Sequence, residues 1–245
     1  AASDVYKRQI LIYMFDGVPG SGKSLHLARE VVEALRKGKN VIANFDFNYN
    51  LVKPRKNKPL GQFIRVSNDE LLNNYIYQKK GTDYRKAPSR DMGFSALLGL
   101  EGFARNYHKK NTQGDILEHQ TLICIDECQD IFNTRTWNRA DRLAWCSFFR
   151  MHRHMGYDVI LASQDDKVVD KQIRAVLQTR ITHRNVKNLK TIGFILWLLA
   201  GRDLFAESES IYSIKGKAGH VNTRYTKGRK YYKYYRSTAY NFTAV

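Results

Sequence analysis

The chain has 245 residues, a hydrophobic content of 43% and a formal net charge of +18. That apolar content excludes a disordered polyelectrolyte and suffices for one large α/β domain, or a domain with an appendage, while the excess of Lys and Arg points to a polyanionic partner, nucleic acid or an anionic membrane surface. Cys124, Cys128 and Cys146 are odd in number and form no C-x-x-C pair, which excludes a disulfide framework or zinc site and suits a reducing cytoplasm.

Residues 1–9 carry no pattern that joins them to a fold and are set aside. Ile10 to Phe15 is an apolar, β-rich run that reads as a buried strand. Gly17-Val18-Pro19-Gly20-Ser21-Gly22-Lys23-Ser24 follows and fits the P-loop pattern G-x-x-x-x-G-K-[ST] at every fixed position. Leu25, Ala28, Val31, Val32 and Leu35 then recur at helical spacing over Ser24–Lys37, and Gly38 sits where a glycine ends a helix. A strand, a glycine loop and a helix N-terminus together cradle phosphate: backbone N–H groups turn inward and the helix end adds partial positive charge. Lys23 offers a mobile ammonium to β- and γ-phosphates, and the Ser24 hydroxyl is a hard oxygen suited to Mg²⁺.

Asn40–Phe45 and Phe63–Val66 read as further strands, separated by the basic, proline-bounded loop 53–59. Ser67-Asn68-Asp69-Glu70 resembles a capping box opening a helix through Tyr77. Gly81–Ser89 reads as a loop, Phe94–His108 as a helix weakened by Gly99 and Gly102, and 111–119 as an exposed polar stretch. Thr121-Leu122-Ile123-Cys124-Ile125 is an apolar strand that ends in Asp126 and Glu127, the Walker B pattern. Such a strand delivers its carboxylates to the C-terminal edge of an open sheet, where ligands bind. Asp126 there can hold Mg²⁺ through water, and Glu127 can orient or deprotonate an attacking water.

Trp137–His154 has helical periodicity and Gly156 closes it; His152 and His154 are read as solvated. Asp158–Gln164 is another buried strand, whose Gln164 would either face a γ-phosphate as a sensor or cap the next turn. A short helix over 170–177 and a strand over 180–186 follow. Arg150, Arg153, Arg174 and Arg180 are candidate arginine fingers with nothing to rank them. The longest apolar run, Ile192–Gly201, is about half of the roughly 20 residues a spanning helix needs, so it reads as a core helix or an anchor lying on a membrane. From Lys215 onward Lys and Arg alternate with tyrosines and no acidic residue occurs. That tail suits single-stranded nucleic acid, an anionic membrane, or a charged hairpin or disordered extension.

These stretches resemble the N-terminal ATPase domain of the zonula occludens toxin (Zot) family, which includes the filamentous-phage assembly ATPases. The likeness is carried by Phe15–Ser24, by Ile125-Asp126-Glu127-Cys128-Gln129, and by Arg150–Tyr157 leading to Ala162-Ser163-Gln164-Asp165; it covers roughly residues 10–190. It implies a RecA-like P-loop core, ATP hydrolysis, and a role in extruding or packaging phage DNA at the host inner membrane. Family members usually continue into a transmembrane helix and a periplasmic part, and neither is visible in these 245 residues.

The expected architecture is an α/β P-loop NTPase, a three-layer α/β/α domain with a mostly parallel sheet over 10–190, and an appendage over 191–245. The expected activity is Mg-ATP hydrolysis driving filamentous phage assembly and export. Gly17, Val18, Pro19, Gly20, Ser21, Gly22, Lys23 and Ser24 bind the nucleotide, Ser24 and Asp126 hold Mg²⁺, and Lys23, Glu127 and Gln164 are catalytic. Expected partners are further copies of the chain, phage assembly proteins at the inner membrane and single-stranded DNA, in the host cytoplasm at the cytoplasmic face of that membrane. A DNA translocase or packaging motor, and a nucleotide-switched scaffold with little turnover, are the alternatives.

Overall fold

Strands buried on both faces need apolar side chains in both directions, and the central strands supply them. In β1 (Ile12–Asp16), Ile12 and Met14 point into one hydrophobic cluster and Phe15 into a second. The same alternation runs through β5 (Thr121–Ile125) and β6 (Tyr157–Ser163): Ile123, Ile125, Val159 and Leu161 face the first cluster, while Leu122, Cys124, Ile160 and Ala162 face the second. The sheet therefore has a core on each face. The computed structural model describes residues 12–74, 99–136, 138–139, 141–214 and 216–236. The loop expected at 81–89, the first residues of the expected strand 10–15 and helix 94–108, and the end of the expected helix 68–77 lie outside them.

The first face is covered by α2 (Asn68–Asn74), α3 (Gly99–Tyr107), α4 (Arg142–Met151) and α5 (Lys171–Arg174), which contribute Leu71, Leu100, Phe103, Trp145, Phe148, Phe149 and Ile173 to the first cluster. The second face carries α1 (Lys23–Arg36), whose Leu27, Val31 and Leu35 are fully buried. This is the three-layer α/β architecture of P-loop NTPases. The capping box opens α2 as read: the Glu70 amide donates to Ser67 Oγ at 3.1 Å and the Ser67 amide donates to Glu70 Oε2 at 2.6 Å. Helix α4 is shorter than its periodicity suggested: it begins only at Arg142, and residues 152–156 form a turn rather than continuing it.

One eight-stranded sheet runs in the order β4-β2-β5-β6-β1-β7-β8-β9, with β2 at Asn40–Ala43, β4 at Phe63–Arg65, β7 at Thr179–Asn185, β8 at Phe205–Ile211 and β9 at His220–Thr226. The strands from β4 to β7 are parallel; β8 and β9 add an antiparallel hairpin at one edge. β1 and β5 are not neighbours: β6 lies between them, with Phe15 beside Ala162 and Ile123 beside Val159. All three strands are parallel and end together, so the P-loop, the acidic pair and Gln164 emerge at one edge.

The stretch from 191 onward has no separate core among the described residues. β8 and β9 continue the main sheet, and Tyr231 and Tyr234 enter the same cluster as α1. A second small sheet pairs β10 (Tyr235–Arg236) with β3 (Asp46–Phe47). The described part of the basic tail is thus packed on the domain: its Tyr231 and Tyr234 lie against α1. Between β7 and β8, α6 (Lys190–Leu199) leaves Phe194, Ile195, Leu196, Leu198 and Leu199 exposed, so it is not a core helix. No described helix is long and apolar enough to cross a membrane.

Candidate active site

The P-loop owes its shape to glycine. Gly17, Gly20 and Gly22 have φ of 146°, 73° and 100°, a region L-residues rarely adopt. Gly22 is also the N-cap of α1 and supplies no side-chain cap, which leaves the first N–H groups of α1 free to bind an anion. A Cβ at Gly22 would stand 2.7 Å from the Phe205 ring, and one at Gly17 would stand 2.6 Å from the His183 carbonyl oxygen, so both glycines are also required by close packing. The Ser21 hydroxyl is buried without a hydrogen-bond partner, and Lys23 folds back to donate to the Gly17 carbonyl at 2.8 Å. An unpartnered hydroxyl and an ammonium held by a loop carbonyl are the donors a phosphate chain would engage.

The loop forms one wall of an open cleft of about 340 Å³. Val18 through Leu25 line it together with Glu127, Gln164, Phe205, Tyr232 and Tyr235. Of the predicted site residues, Val18 to Ser24, Glu127 and Gln164 meet here; Gly17 is outside the lining and holds Lys23 through its carbonyl, and Asp126 is linked to the cleft through Tyr235. The Asp126 carboxyl is nearly enclosed, and burial pushes its pKa up against the opposing effect of the Tyr235 hydrogen bond. Its Oδ1 accepts from the Glu127 amide at 3.0 Å and its Oδ2 from the Tyr235 hydroxyl at 2.5 Å. Ser24 Oγ and this carboxylate are hard oxygen donors on one side of the loop, a set that fits Mg²⁺.

Glu127 adopts the left-handed conformation at φ 46°, ψ 47°. For a non-glycine residue this costs roughly 1–2 kcal/mol, and it turns the side chain into the cleft. Two amides steady it: Gln129 Nε2 donates to Oε2 at 2.6 Å, and Gln164 Nε2 donates to Oε1 at 3.4 Å. Gln164 therefore stands beside the acidic residue at the cleft edge, and Asp165, not Gln164, caps the following 3₁₀ turn by accepting from the Lys167 amide.

The family model of zonular occludens toxin (Zot) matches residues 99–240, more than half of the chain. The chain belongs to the Zot family. It is 25% identical over 184 residues to the Gene 1 protein of Enterobacteria phage M13, covering 75% of this chain and 44% of that protein. To the Gene 1 protein of Salmonella phage IKe it is 27% identical over 197 residues, covering 78% and 45%. The Zot-family chain thus spans less than half the length of these relatives. Its fold is similar to the N-terminal domain of zonular occludens toxin from Neisseria meningitidis, at 15% identity and a TM-score of 0.50, with 92% of this chain and 98% of that one covered.

Behind the P-loop of this Zot-family chain a buried polar network ties α1 to β7 and β8. His183 Nδ1 bonds the Asp16 carbonyl at 3.1 Å, which turns its Nε2 to His26 Nδ1 at 2.8 Å. Arg29 forks onto both oxygens of Glu207 at 2.9 Å, beside His26. Burial, with His26 nearby, drives the His183 pKa down to about 3. Burial alone would raise Glu30, but its bond to His26 and the Arg29 charge bring it down to about 2. None of these residues was singled out from the sequence, and neither was Asn44, although a polar residue ending the apolar β2 is a visible signal.

One sequence reading is corrected. His152 is buried, with its Nδ1 bonded to the Phe149 carbonyl at 2.5 Å, and burial lowers its pKa; His154 is exposed as expected. Among the arginines named as candidate fingers, Arg180 is paired with Asp16 at 2.5 Å and Asp166 at 3.3 Å, and Arg153 with Glu118 at 2.7 Å. All three cysteines are buried free thiols.

Proposed function

We propose that this chain is an ATP-hydrolysing P-loop NTPase that drives assembly and export of a filamentous phage. The observation that carries the reading is the single cleft lined by Lys23, Ser24, Glu127 and Gln164, set up by a sheet in which β6 separates the P-loop strand from the acidic strand. The Gene 1 relatives support the phage setting.

In this reading Lys23 leaves the Gly17 carbonyl and neutralises charge on the β/γ-phosphates, while the free amides of Gly22 and α1 hold the phosphate oxygens. Ser24 and Asp126 would hold Mg²⁺, which when bound offsets phosphate charge. Glu127, aimed into the cleft by its left-handed backbone, orients the attacking water and accepts its proton. Gln164 contacts the γ-phosphate and reports its presence to Glu127 through their shared hydrogen bond.

We place the chain in the host cytoplasm against the inner membrane, as an oligomer acting with other assembly proteins. The exposed apolar side chains of α6, with Lys187 over the Trp197 ring at 5.7 Å and Arg202 just beyond, support the membrane contact. Lys23→Ala tests the whole reading. The variant should fold, lose phosphate release, and fail to support phage production where the wild-type gene does. Undiminished phosphate release would remove the assignment.

A further inference from the structure

The reading above gives no role to Tyr235, which lines the cleft. Tyr231, Tyr234 and Tyr235 all come from the short stretch that follows β9, and two of them do what aromatic residues ordinarily do. Tyr231 and Tyr234 are buried against α1 in the second hydrophobic cluster. Tyr235 behaves differently. Its ring rests on Phe45 at 5.0 Å, but its hydroxyl reaches into the cleft and donates to Asp126 Oδ2 at 2.5 Å. Ser24 lines the same cleft. One phenol oxygen thus sits on Asp126 in the cleft that Ser24 lines, amid the two residues assigned to the metal.

That coincidence constrains binding. Magnesium held by a P-loop serine and an acidic strand normally keeps several waters, and the acidic residue binds it through one of them. In this chain Asp126 has Oδ1 taken by the Glu127 amide and Oδ2 taken by the phenol. A metal-bound water reaching Asp126 has to share the carboxylate with the phenol, which already holds Oδ2. Backbone contacts hold the phenol there: Tyr235 pairs with Phe47, the Asn48 amide donates to the Tyr234 carbonyl at 2.8 Å, and Asn48 Nδ2 donates to the Lys233 carbonyl at 2.6 Å.

We propose that Tyr235 is a further residue of the metal site: its phenol occupies the position of a metal-bound water between Ser24 and Asp126, and competes with Mg²⁺ for it. This rests on the nucleotide-site reading above. Mg-nucleotide then binds only as the strap from Gly228 to Arg236 loosens. The same contact makes the strap responsive to the state of the cleft, since the residues that hold it, Phe47 and Asn48, lie just beyond β2 and Asn44, which bonds the Asp126 backbone.

The test compares wild type with Tyr235→Phe, which keeps the ring and removes only the hydroxyl. Affinity for a non-hydrolysable ATP analogue is measured in Mg²⁺ and in EDTA. The advantage given by Mg²⁺, the ratio of the two dissociation constants, should be about tenfold larger in Tyr235→Phe, the size of one lost hydrogen bond to a charged group. An unchanged ratio, or a smaller one, overturns the proposal; a smaller one would mean that the phenol helps to hold the metal. No binding by either protein in either buffer overturns the nucleotide-site reading itself, and this inference with it. Should the variant fold poorly, wild-type hydrogen exchange asks the same question. Amides of residues 229–236 should lose protection with the analogue and Mg²⁺ but not with the analogue in EDTA, and equal protection in both would contradict the proposal.

Discussion

Asn44 and Asp126 are locked together in both directions: Asn44 Nδ2 donates to the Asp126 carbonyl at 2.8 Å, and the Asp126 amide donates to Asn44 Oδ1 at 2.7 Å. A side chain at the end of β2 thereby copies a backbone ladder just where β5 stops pairing. It fixes the point at which the chain turns into the left-handed Glu127, and so fixes where both carboxylates point. Asn44 Nδ2 also donates to Asn68 Oδ1 at 2.8 Å, which joins the start of α2 to the same clamp.

Removing this clamp should cost stability and activity together. Asn44→Ala loses two backbone-directed hydrogen bonds, worth about 1–3 kcal/mol in sum. Its denaturation midpoint should fall, and turnover should fall further than nucleotide affinity, because Gly17–Ser24 is not touched. Equal losses in turnover and affinity would mean that Asn44 supports the fold without aiming Glu127.

The two acidic residues should separate by substitution. Glu127→Gln keeps the shape, can accept from only one of Gln129 and Gln164, and removes the base, so binding should persist while turnover drops by roughly 10²–10⁴. Asp126→Asn should raise the Mg²⁺ concentration needed for half-maximal activity. A Mg²⁺ requirement unchanged in Asp126→Asn would place the metal elsewhere.

The buried histidine makes stability fall in acid. His183 titrates near 6.5 when free and at about 3 in the fold, where burial, with His26 and Lys23 nearby, outweighs the opposing Glu207 carboxylate. Between those values the unfolded chain binds a proton that the folded one does not. Stability therefore rises with pH across this window and is lost as pH falls, by up to about 1.4 kcal/mol per pH unit. The Glu30 shift to about 2 acts in the same direction at lower pH. Urea midpoints at pH 7 and pH 5 should differ less for His183→Asn than for wild type. Equal differences would show that His183 is not the titrating group.

The strap tyrosines should behave as core residues. Tyr231→Ala or Tyr234→Ala opens a cavity beside α1 and should cost about 3–5 kcal/mol, as large aromatic truncations do. Tyr232→Ala, at an exposed position, should cost far less. A small loss at Tyr234 would show that the strap packs loosely against α1.

What the sequence made legible was local. The apolar run into Asp16, the glycines at 17, 20 and 22, the spacing of α1, the Ser67–Glu70 box and the run ending at Asp126 each lie within a window of one element. β8 was missed because Glu207-Ser208-Glu209-Ser210 has little apolar signal, and β9 because it is an exposed edge strand. The packing of the tail was not legible because its contacts are remote. Tyr235 and Asp126 are 109 positions apart, and His26 and His183 are 157 apart, so only the fold brings them together. Nothing in the tail's composition distinguishes Tyr234, which fills a core, from Tyr232, which faces solvent.

The central claim is that this cleft hydrolyses ATP with Glu127 as the base. Phosphate release should be followed on wild type and Glu127→Gln in Mg²⁺, with binding of the ATP analogue measured on the same preparations. The account predicts steady turnover by wild type and, for Glu127→Gln, retained binding with turnover reduced at least a hundredfold. Equal turnover by the two proteins, or binding by wild type without any phosphate release, would contradict it.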